Sequence, residues 1–195
     1  MNLSTKLVLG SEFGPILLFF IAGRLTDFYT AVTILLISTI VAITFCWWLE
    51  RRIPWLPVLS AVFVLLGGTI TLVWSNPDAI IITDTLYYVT TSGLLAISLY
   101  YKTPLLKTLF IGIFALTEQG WWKLTVRWCI FLLLAALANE LARFLLTPEQ
   151  WIDYRFVKTI IVSSFALYQL NLSRLERIPE ESNAWGFRIH SALAL

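Results

Sequence analysis

Five apolar runs, each close to 20 residues long and separated by short charged loops, dominate the pattern of the chain. They are Phe28–Leu49, Trp55–Trp74, Ile80–Tyr100, Leu124–Leu146 and Phe156–Leu172. A helix rises about 1.5 Å per residue and the hydrocarbon core of a bilayer is about 30 Å thick, so each run is long enough to cross. Spanning strands would alternate apolar and polar positions, which these runs do not do. The pattern predicts an all-α, polytopic helical membrane protein with about five transmembrane helices.

The first 27 residues contain a shorter apolar stretch, Pro15–Gly23, which lies between Glu12 and Arg24. About ten residues cover roughly half a bilayer, which favours an N-terminal re-entrant helix. The alternative is a sixth span that starts near Leu7. That span would move the N-terminus to the opposite side of the membrane.

A second short segment, Lys102–Thr117, lies between the third and fourth runs. Pro104 is suited to the first turn of a helix, and the two Lys of the segment would sit among headgroups. We therefore expect a cytoplasmic interfacial helix here. After the fifth run the chain becomes polar, so we expect one integral membrane domain over residues 1–175 and a mobile, polar cytoplasmic tail over residues 176–195.

Composition and charge agree with a membrane protein. Hydrophobic residues make up 58% of the chain and charged residues 13%, whereas a soluble domain has about 25% charged residues. The net charge of +2 is too small to indicate a nucleic-acid partner. Nine of the 14 basic residues would lie on one side of a five-span bundle, and the positive-inside rule makes that side cytoplasmic, with the C-terminus inside. The nine are Arg51, Arg52, Lys102, Lys107, Lys123, Arg127, Arg174, Arg177 and Arg188.

Residues that could carry chemistry are few. Two cysteines, Cys46 and Cys129, and a single histidine, His190, cannot be assembled into a zinc site, a haem site or a nucleophile with its base. The pair Gly67 and Gly68 lies within a span, where it favours close approach of helices over phosphate binding. The sequence therefore predicts no cofactor, no metal and no enzymatic activity.

Polar residues inside the fourth run are the sharper signal. Asn139, Glu140 and Arg143 interrupt an otherwise apolar stretch, and Glu140 and Arg143 share a helix face because they are three residues apart. Other polar groups would lie at a similar depth, near the outer interface: Arg24, Asp27, Asp78, Asp84, Asp153, Arg155 and Lys158. One interpretation is that these groups pair with one another and fix helix order. The other is a binding site or pathway for a lipid-like or ionic ligand.

Seven short pieces, in register over most of the chain, make it similar to the YciB family, also called intracellular septation protein A. The pieces are Gly14–Phe20, Asp27–Ala31, Gly67–Leu72, Lys102–Leu105, Gly120–Trp128, Ala138–Glu140 and Trp151–Arg155. The chain departs from the pattern of that family at Ala79–Asp84 and at Asp153–Lys158, which both lie near the predicted outer interface.

The resemblance implies a multi-pass protein of the bacterial inner (plasma) membrane that supports envelope biogenesis, envelope integrity and septation as a non-enzymatic scaffold. The alternative is a small transporter or lipid translocator that uses the polar face of the fourth span. Expected partners are membrane lipids, cell-division and cell-wall elongation proteins, and a second copy of the chain. The residues that we expect to matter for function or packing are Asp27, Gly67, Gly68, Lys102, Trp121, Lys123, Asn139, Glu140, Arg143, Trp151 and Arg155.

Overall fold

A computed structural model describes residues 3–50 and 55–189, with side chains described for all of these except residues 3–13, 46, 49, 50 and 55–57. Arg51, Arg52 and His190 lie outside the described residues. The described part of the chain forms seven helices: α1 (Leu3–Leu25), α2 (Phe28–Glu50), α3 (Trp55–Trp74), α4 (Asp78–Tyr100), α5 (Leu105–Phe110), α6 (Glu118–Leu145) and α7 (Pro148–Leu175). The predicted all-α fold class is confirmed.

Three helices are long and apolar enough to cross a membrane by length and composition. The stretches are Phe28–Phe45 in α2, Asp78–Tyr100 in α4 and Glu118–Leu145 in α6. Shorter apolar stretches occupy Gly14–Leu25 and Val58–Trp74. Crossing by α3 and α7, which contain the other two predicted spans, stays a prediction.

The N-terminal helix α1 is longer than its apolar stretch suggests. It runs over 23 residues from Leu3 to Leu25, with Pro15 inside it. At about 1.5 Å per residue this corresponds to about 34 Å. The helix is therefore long enough for the sixth span that the sequence left as an alternative.

Short polar turns separate the long helices. Asp27 precedes α2, and Ser75, with φ of 51°, ends α3. Between α6 and α7, the Thr147 hydroxyl accepts from the Gln150 amide at 3.3 Å, and the Gln150 side chain accepts from the Thr147 amide at 3.0 Å. This reciprocal pair is a capping box, and Pro148 follows it at the first helical position. Local sequence thus fixes where α7 begins.

The residues of the described chain divide into two compact units. Unit 1 contains the described residues up to Tyr87 together with Ala136–Lys158, and unit 2 contains Tyr88–Ala135 together with the described residues from Thr159 onward. The core of unit 1 is built from one buried apolar cluster of α1, α2, α4, α6 and α7. Its members are Phe19, Ala22, Phe28, Ala31, Val32, Leu35, Ile80, Ile81, Ala142, Trp151 and Ile152.

Glycines allow the helices of unit 1 to approach closely. A Cβ atom at Gly67 would lie 2.8 Å from the Cβ of Thr83 on α4, and one at Gly68 would lie 3.0 Å from the Cγ of Leu36 on α2. Both distances are too short for a real side chain. The two glycines therefore let α3 pack against both neighbours.

Unit 2 contains the segment for which an interfacial helix was predicted and the described part of the polar tail. Only six residues of Lys102–Thr117 are helical, because α5 ends at Phe110. The segment that follows pairs with the tail through isolated bridges, Phe114 with Phe187 and Leu116 with Arg177. The tail up to Ile189 is thus held by backbone hydrogen bonds, which form between residues far apart in sequence.

Candidate functional site

Asn139 is the centre of a polar cluster in unit 1, and its side chain is 0% exposed. Its Nδ2 donates to the Ile81 carbonyl at 3.0 Å and to the Thr85 hydroxyl at 2.9 Å. Its Oδ1 accepts from Trp151 Nε1 at 3.3 Å and from Lys158 Nζ at 2.9 Å. All four hydrogen-bonding positions of the amide are used. One side chain on α6 therefore holds α4 and α7 in place.

Asp84, on α4, faces two cations of α7. Lys158 donates to one carboxylate oxygen in a close ion pair, and the Arg155 guanidinium lies 3.6 Å from the other oxygen. All three side chains are about nine-tenths buried. The two sequence stretches that depart from the family pattern thus meet here, because Asp84 ends the first and Lys158 ends the second.

Aromatic rings surround the two cations. The Arg155 guanidinium carbon lies 5.2 Å from the centroid of the Trp151 ring and 5.8 Å from that of Phe19, and Lys158 Nζ lies 5.2 Å from that of Tyr154. The negative faces of aromatic rings attract cations, most strongly where water is excluded. These rings therefore add to the stabilisation that Asp84 gives to the two cations.

A small cavity lies beside Asp84 and Arg155. Its volume is about 10 Å³, which is the room needed for one water molecule. The lining residues are Ser60, Phe63, Val64, Ile80, Thr83, Asp84, Tyr87 and Arg155. The cavity is polar on one side and can hold a bound water, but it is far smaller than the about 300 Å³ of a ligand pocket.

Glu140 and Arg143 form the outer part of the cluster. Arg143 Nε and one of its terminal nitrogens donate to Glu140 Oε2 at 2.9 and 2.7 Å, and Asp78 lies 3.8 Å from the guanidinium. Glu140 Oε1 accepts from the Thr85 hydroxyl at 2.7 Å. Thr85 therefore connects Glu140 to Asn139, because its oxygen also accepts from the amide.

These contacts form a continuous chain of hydrogen bonds from Arg143 through Glu140, Thr85, Asn139 and Lys158 to Asp84. Two links of this chain pass through the Asn139 amide, which donates N–H bonds and accepts at its carbonyl. An amide does not ionise in the range in which carboxylates and amines do, so it does not pass a proton along. The arrangement fits helix positioning better than proton relay.

Trp151 and Arg155 belong to this cluster, as do Asn139, Glu140 and Arg143, so five of the residues singled out from the sequence come together. Gly67 and Gly68 lie in the same unit at the helix contacts described above. Thr85 was not named from the sequence, whereas Asp84 and Lys158 were named only as polar groups at a depth similar to that of Glu140. The signal for the last two was their charge at the depth of Glu140, and Thr85 gave no signal in the sequence.

Asp27 has a local role at the start of α2. Its carboxylate accepts from the Thr30 amide at 3.0 Å and from the Thr30 hydroxyl at 2.6 Å. These hydrogen bonds lower the pKa of Asp27 below its ordinary value, because they favour the charged carboxylate. The residue caps the helix and supplies the negative charge that a helix N-terminus favours.

Lys102, Trp121 and Lys123 belong to unit 2. Lys102 is exposed in the turn after α4, with φ of 56°, and Trp121 is buried in the first turn of α6. Lys123 forms a close ion pair with Glu176, just beyond α7. The hydrogen bond from Lys123, together with one from Thr117, lowers the pKa of Glu176. These contacts join the start of α6 to the end of α7.

Within the part of the chain that the structure describes, no three His, Cys, Asp or Glu side chains come together as metal ligands. Cys129 is a free, half-buried thiol whose Sγ lies 3.3 Å from the Ser92 hydroxyl. That contact joins α6 to α4 inside unit 2. The prediction that the protein uses no cofactor stays a prediction.

Comparison with known proteins identifies relatives along nearly the whole chain. The sequence model of the family described as "Intracellular septation protein A" matches residues 7–177. The "Inner membrane-spanning protein YciB" of Agrobacterium fabrum is 31% identical over 172 residues, which cover 78% of this chain and 82% of the relative. The protein of the same description from Brucella melitensis is 27% identical over 193 residues, covering 91% and 88%. No solved structure matches the chain.

The matched relatives are inner-membrane proteins by description, and the long apolar helices of this chain agree with a multi-pass protein of that membrane. The match to the family covers far more than half of the chain. This chain therefore belongs to the intracellular septation protein A family of inner membrane-spanning proteins.

Proposed function

We propose that the protein is a non-enzymatic scaffold of the inner membrane that supports envelope biogenesis, envelope integrity and septation. The observation that carries this proposal is the family match over residues 7–177, since the family is described by septation. The geometry of the polar cluster supports it. Each of Asn139, Glu140 and Asp84 is engaged by protein partners, and the cavity beside Asp84 has room for one water molecule.

The proposed orientation places the C-terminus and the basic loops in the cytoplasm. Lys102, Lys107 and Lys123 would then lie on the side where the division and elongation machinery is assembled from soluble and membrane proteins. The interaction surface that we propose comprises these basic residues together with the exposed part of Trp121–Trp128, of which Trp122 is 42% exposed. Proteins of division and cell-wall elongation, and a second copy of the chain, are the proposed partners.

Site-specific photo-crosslinking in living cells tests this proposal. A photoreactive residue is introduced at Lys102 or at Trp122, and a matched control is placed at Leu137, which is 67% exposed on α6 amid apolar residues. We expect division or cell-wall proteins to be captured from the first two positions and not from Leu137. Capture of no such protein at either position, from protein present at its normal abundance, would contradict the proposal.

The second candidate is a transporter or lipid translocator that uses Asn139, Glu140 and Arg143. The observation in its favour is that Glu140 and Arg143 are partly exposed, with 31% and 20% of their side chains accessible. A lipid-scrambling and ion-flux assay in proteoliposomes separates the two candidates. The scaffold proposal predicts no flux above that of empty liposomes, and flux that the Glu140→Gln variant abolishes would establish the transporter.

A further inference from the structure

The tail of unit 2 and the segment after α5 form one paired structure, which we call the tail sheet: residues 111–117 and 176–189. The Ala115 amide donates to the Gly186 carbonyl at 3.0 Å, and the Ile178 amide donates to the Ala115 carbonyl at 2.9 Å. The 111–117 segment therefore lies between two parts of the tail. Gly186, with φ of 82°, has no room for a Cβ, which would lie 2.6 Å from the Ser173 carbonyl oxygen.

Five apolar side chains of the tail sheet are exposed, although Ala115 and Leu116 are buried. Trp185 is 48% exposed and Ile113 is 49% exposed, although neither lies on a membrane-spanning helix. Ile111, Phe187 and Ile189 are also exposed. The tail sheet follows directly on the ends of α5 and α7. An amphipathic ring such as that of Trp185 favours the headgroup level of a bilayer.

Unit 2 as a whole is positively charged, whereas the tail sheet itself holds two Arg and three Glu, among them the exposed Glu180. The described residues of unit 2 carry seven Lys or Arg and four Glu, a net charge of +3. Three of the acids are used in ion pairs inside the unit, Glu118 with Lys107, Glu176 with Lys123 and Glu181 with Arg188. The remaining basic residues include Lys102, Arg174 and Arg177. Arg174 and Lys102 are exposed, and the Arg174 guanidinium carbon lies 5.7 Å from the centroid of the Trp185 ring.

We propose that the tail sheet docks on the bilayer surface and selects anionic phospholipid headgroups. Trp185, Ile111 and Ile113 enter the boundary between headgroups and acyl chains, where apolar and amphipathic side chains are stabilised. Lys102, Arg174 and Arg177 bind the lipid phosphates, since clustered basic residues at a membrane surface attract anionic lipids. The proposal goes beyond the scaffold function and does not depend on it.

Quenching of tryptophan fluorescence by brominated lipids tests the proposal with the full chain in nanodiscs. The bilayer contains phosphatidylglycerol and phosphatidylcholine in equal amounts. In one sample the phosphatidylglycerol is brominated, and in the other the phosphatidylcholine is brominated. The quenching of Trp185 is obtained as the difference in quenched fluorescence between the wild type and Trp185→Phe. Trp74, which is 72% exposed at the end of α3, gives the matched control through Trp74→Phe.

We expect Trp185 to be quenched at least twofold more by brominated phosphatidylglycerol than by brominated phosphatidylcholine, and Trp74 to be quenched equally by the two. A ratio of one for Trp185, or no quenching of it by either lipid, would overturn the proposal. The variant Lys102→Asn/Arg174→Gln/Arg177→Gln is expected to bring the ratio for Trp185 to about one. Asn is chosen at Lys102 because it tolerates positive φ.

A salt titration of the wild type tests the charge argument without any substitution. At about 1 M salt the Debye length falls to about 3 Å, so attraction between exposed basic residues and headgroups is screened. Quenching of Trp185 by brominated phosphatidylglycerol, relative to quenching by brominated phosphatidylcholine, is expected to fall toward a ratio of one. Quenching by both lipids should persist. A ratio that is insensitive to salt would show that charge does not select the lipid.

Discussion

Asn139 illustrates how a polar residue is accommodated within an apolar helix bundle. Its four hydrogen bonds reach the backbone of Ile81 and the side chains of Thr85, Trp151 and Lys158. An unsatisfied polar group in hydrocarbon is costly, so partners of the right shape must be present on both neighbouring helices. The residue that interrupts the apolar run is thus the one that specifies which helices meet.

Two cations share the Asp84 carboxylate, so removing Asp84 should cost more stability than removing one of the cations. Asp84→Asn leaves Arg155 and Lys158 without the carboxylate that they share, and we expect a loss of about 3–5 kcal/mol in the free energy of unfolding. Lys158→Met leaves Asp84 beside Arg155 as a pair of opposite charges, and we expect a loss of less than about 1.5 kcal/mol. Reversible unfolding in detergent micelles measures both.

Glu149→Gln is the matched control for these variants, because it changes a charge on an exposed position of α7. It should leave the free energy of unfolding unchanged within about 0.5 kcal/mol. A larger loss for Lys158→Met than for Asp84→Asn would show that sharing of the Asp84 carboxylate does not govern the stability of the cluster.

Asp27 provides a prediction about pH. Its pKa is lowered in the folded protein by the hydrogen bonds from Thr30, so its capping contribution is fully present above the unfolded pKa and is lost as the pH falls through the folded pKa. The unfolded pKa is close to 3.8. Amide hydrogen exchange at Thr30, corrected for the intrinsic exchange rate, gives the free energy of local opening. We therefore expect this free energy to be lower below that pH than near neutrality.

Two substitutions of Asp27 separate charge from capping. Asp27→Ala removes the acceptor, so exchange at Thr30 should become faster at all pH values, whereas Asp27→Ser should retain most of the protection because Ser is a good N-cap. Equal protection in Asp27→Ala and the wild type would contradict a capping role.

At the scale of helices, close packing depends on the glycine pair of α3. A Cβ at Gly67 would overlap the side chain of Thr83 and approach the Ile80 Cα to 3.0 Å. Gly67→Ala is therefore expected to lower the free energy of unfolding by about 1–3 kcal/mol through overpacking. Unfolding in micelles measures this effect.

Gly93 supplies the matched control, because a Cβ there would meet nothing within 4 Å. Gly93→Ala should leave stability unchanged or raise it by up to about 1 kcal/mol, since Ala is the better helix former. Similar losses for Gly67→Ala and Gly93→Ala would show that backbone freedom, rather than close approach, explains the glycines.

Most predictions about the helices came from local sequence patterns. Apolar runs predicted helices, and the spacing of Glu140 and Arg143 predicted their pairing, because both depend on neighbours in sequence. The Asp84–Lys158 pair joins residues 74 positions apart, and Phe114 pairs with Phe187 across a similar separation. No local rule brings such residues together. The ordered tail and the specific pairing of Asp84 with Lys158 were therefore not predicted.

The length of α1 affects how many times the chain is expected to cross the membrane. With α1 as a sixth span, Lys6 joins the cytoplasmic side, and the distribution of basic residues becomes ten against four rather than nine against five. The positive-inside rule then favours the orientation more strongly. We therefore expect both termini to lie in the cytoplasm, in place of the re-entrant arrangement.

Labelling of single cysteines with a membrane-impermeant reagent measures this topology in intact cells and in inverted vesicles. Cysteines at the N-terminus and in the tail should react only in inverted vesicles. A cysteine in the turn between α1 and α2, at Thr26, should react only in intact cells. Labelling of the N-terminal cysteine from outside would favour five spans with a re-entrant α1.

We infer that the polar cluster stabilises helix packing and does not itself carry a reaction or a transport step. Complementation of a strain that lacks the protein tests it most directly, with Glu140→Ala and Arg143→Ala each measured for membrane abundance and for rescue of the septation and envelope defects. We predict that rescue follows abundance, so that a variant present at the normal amount rescues normally. Normal abundance with no rescue would contradict the account.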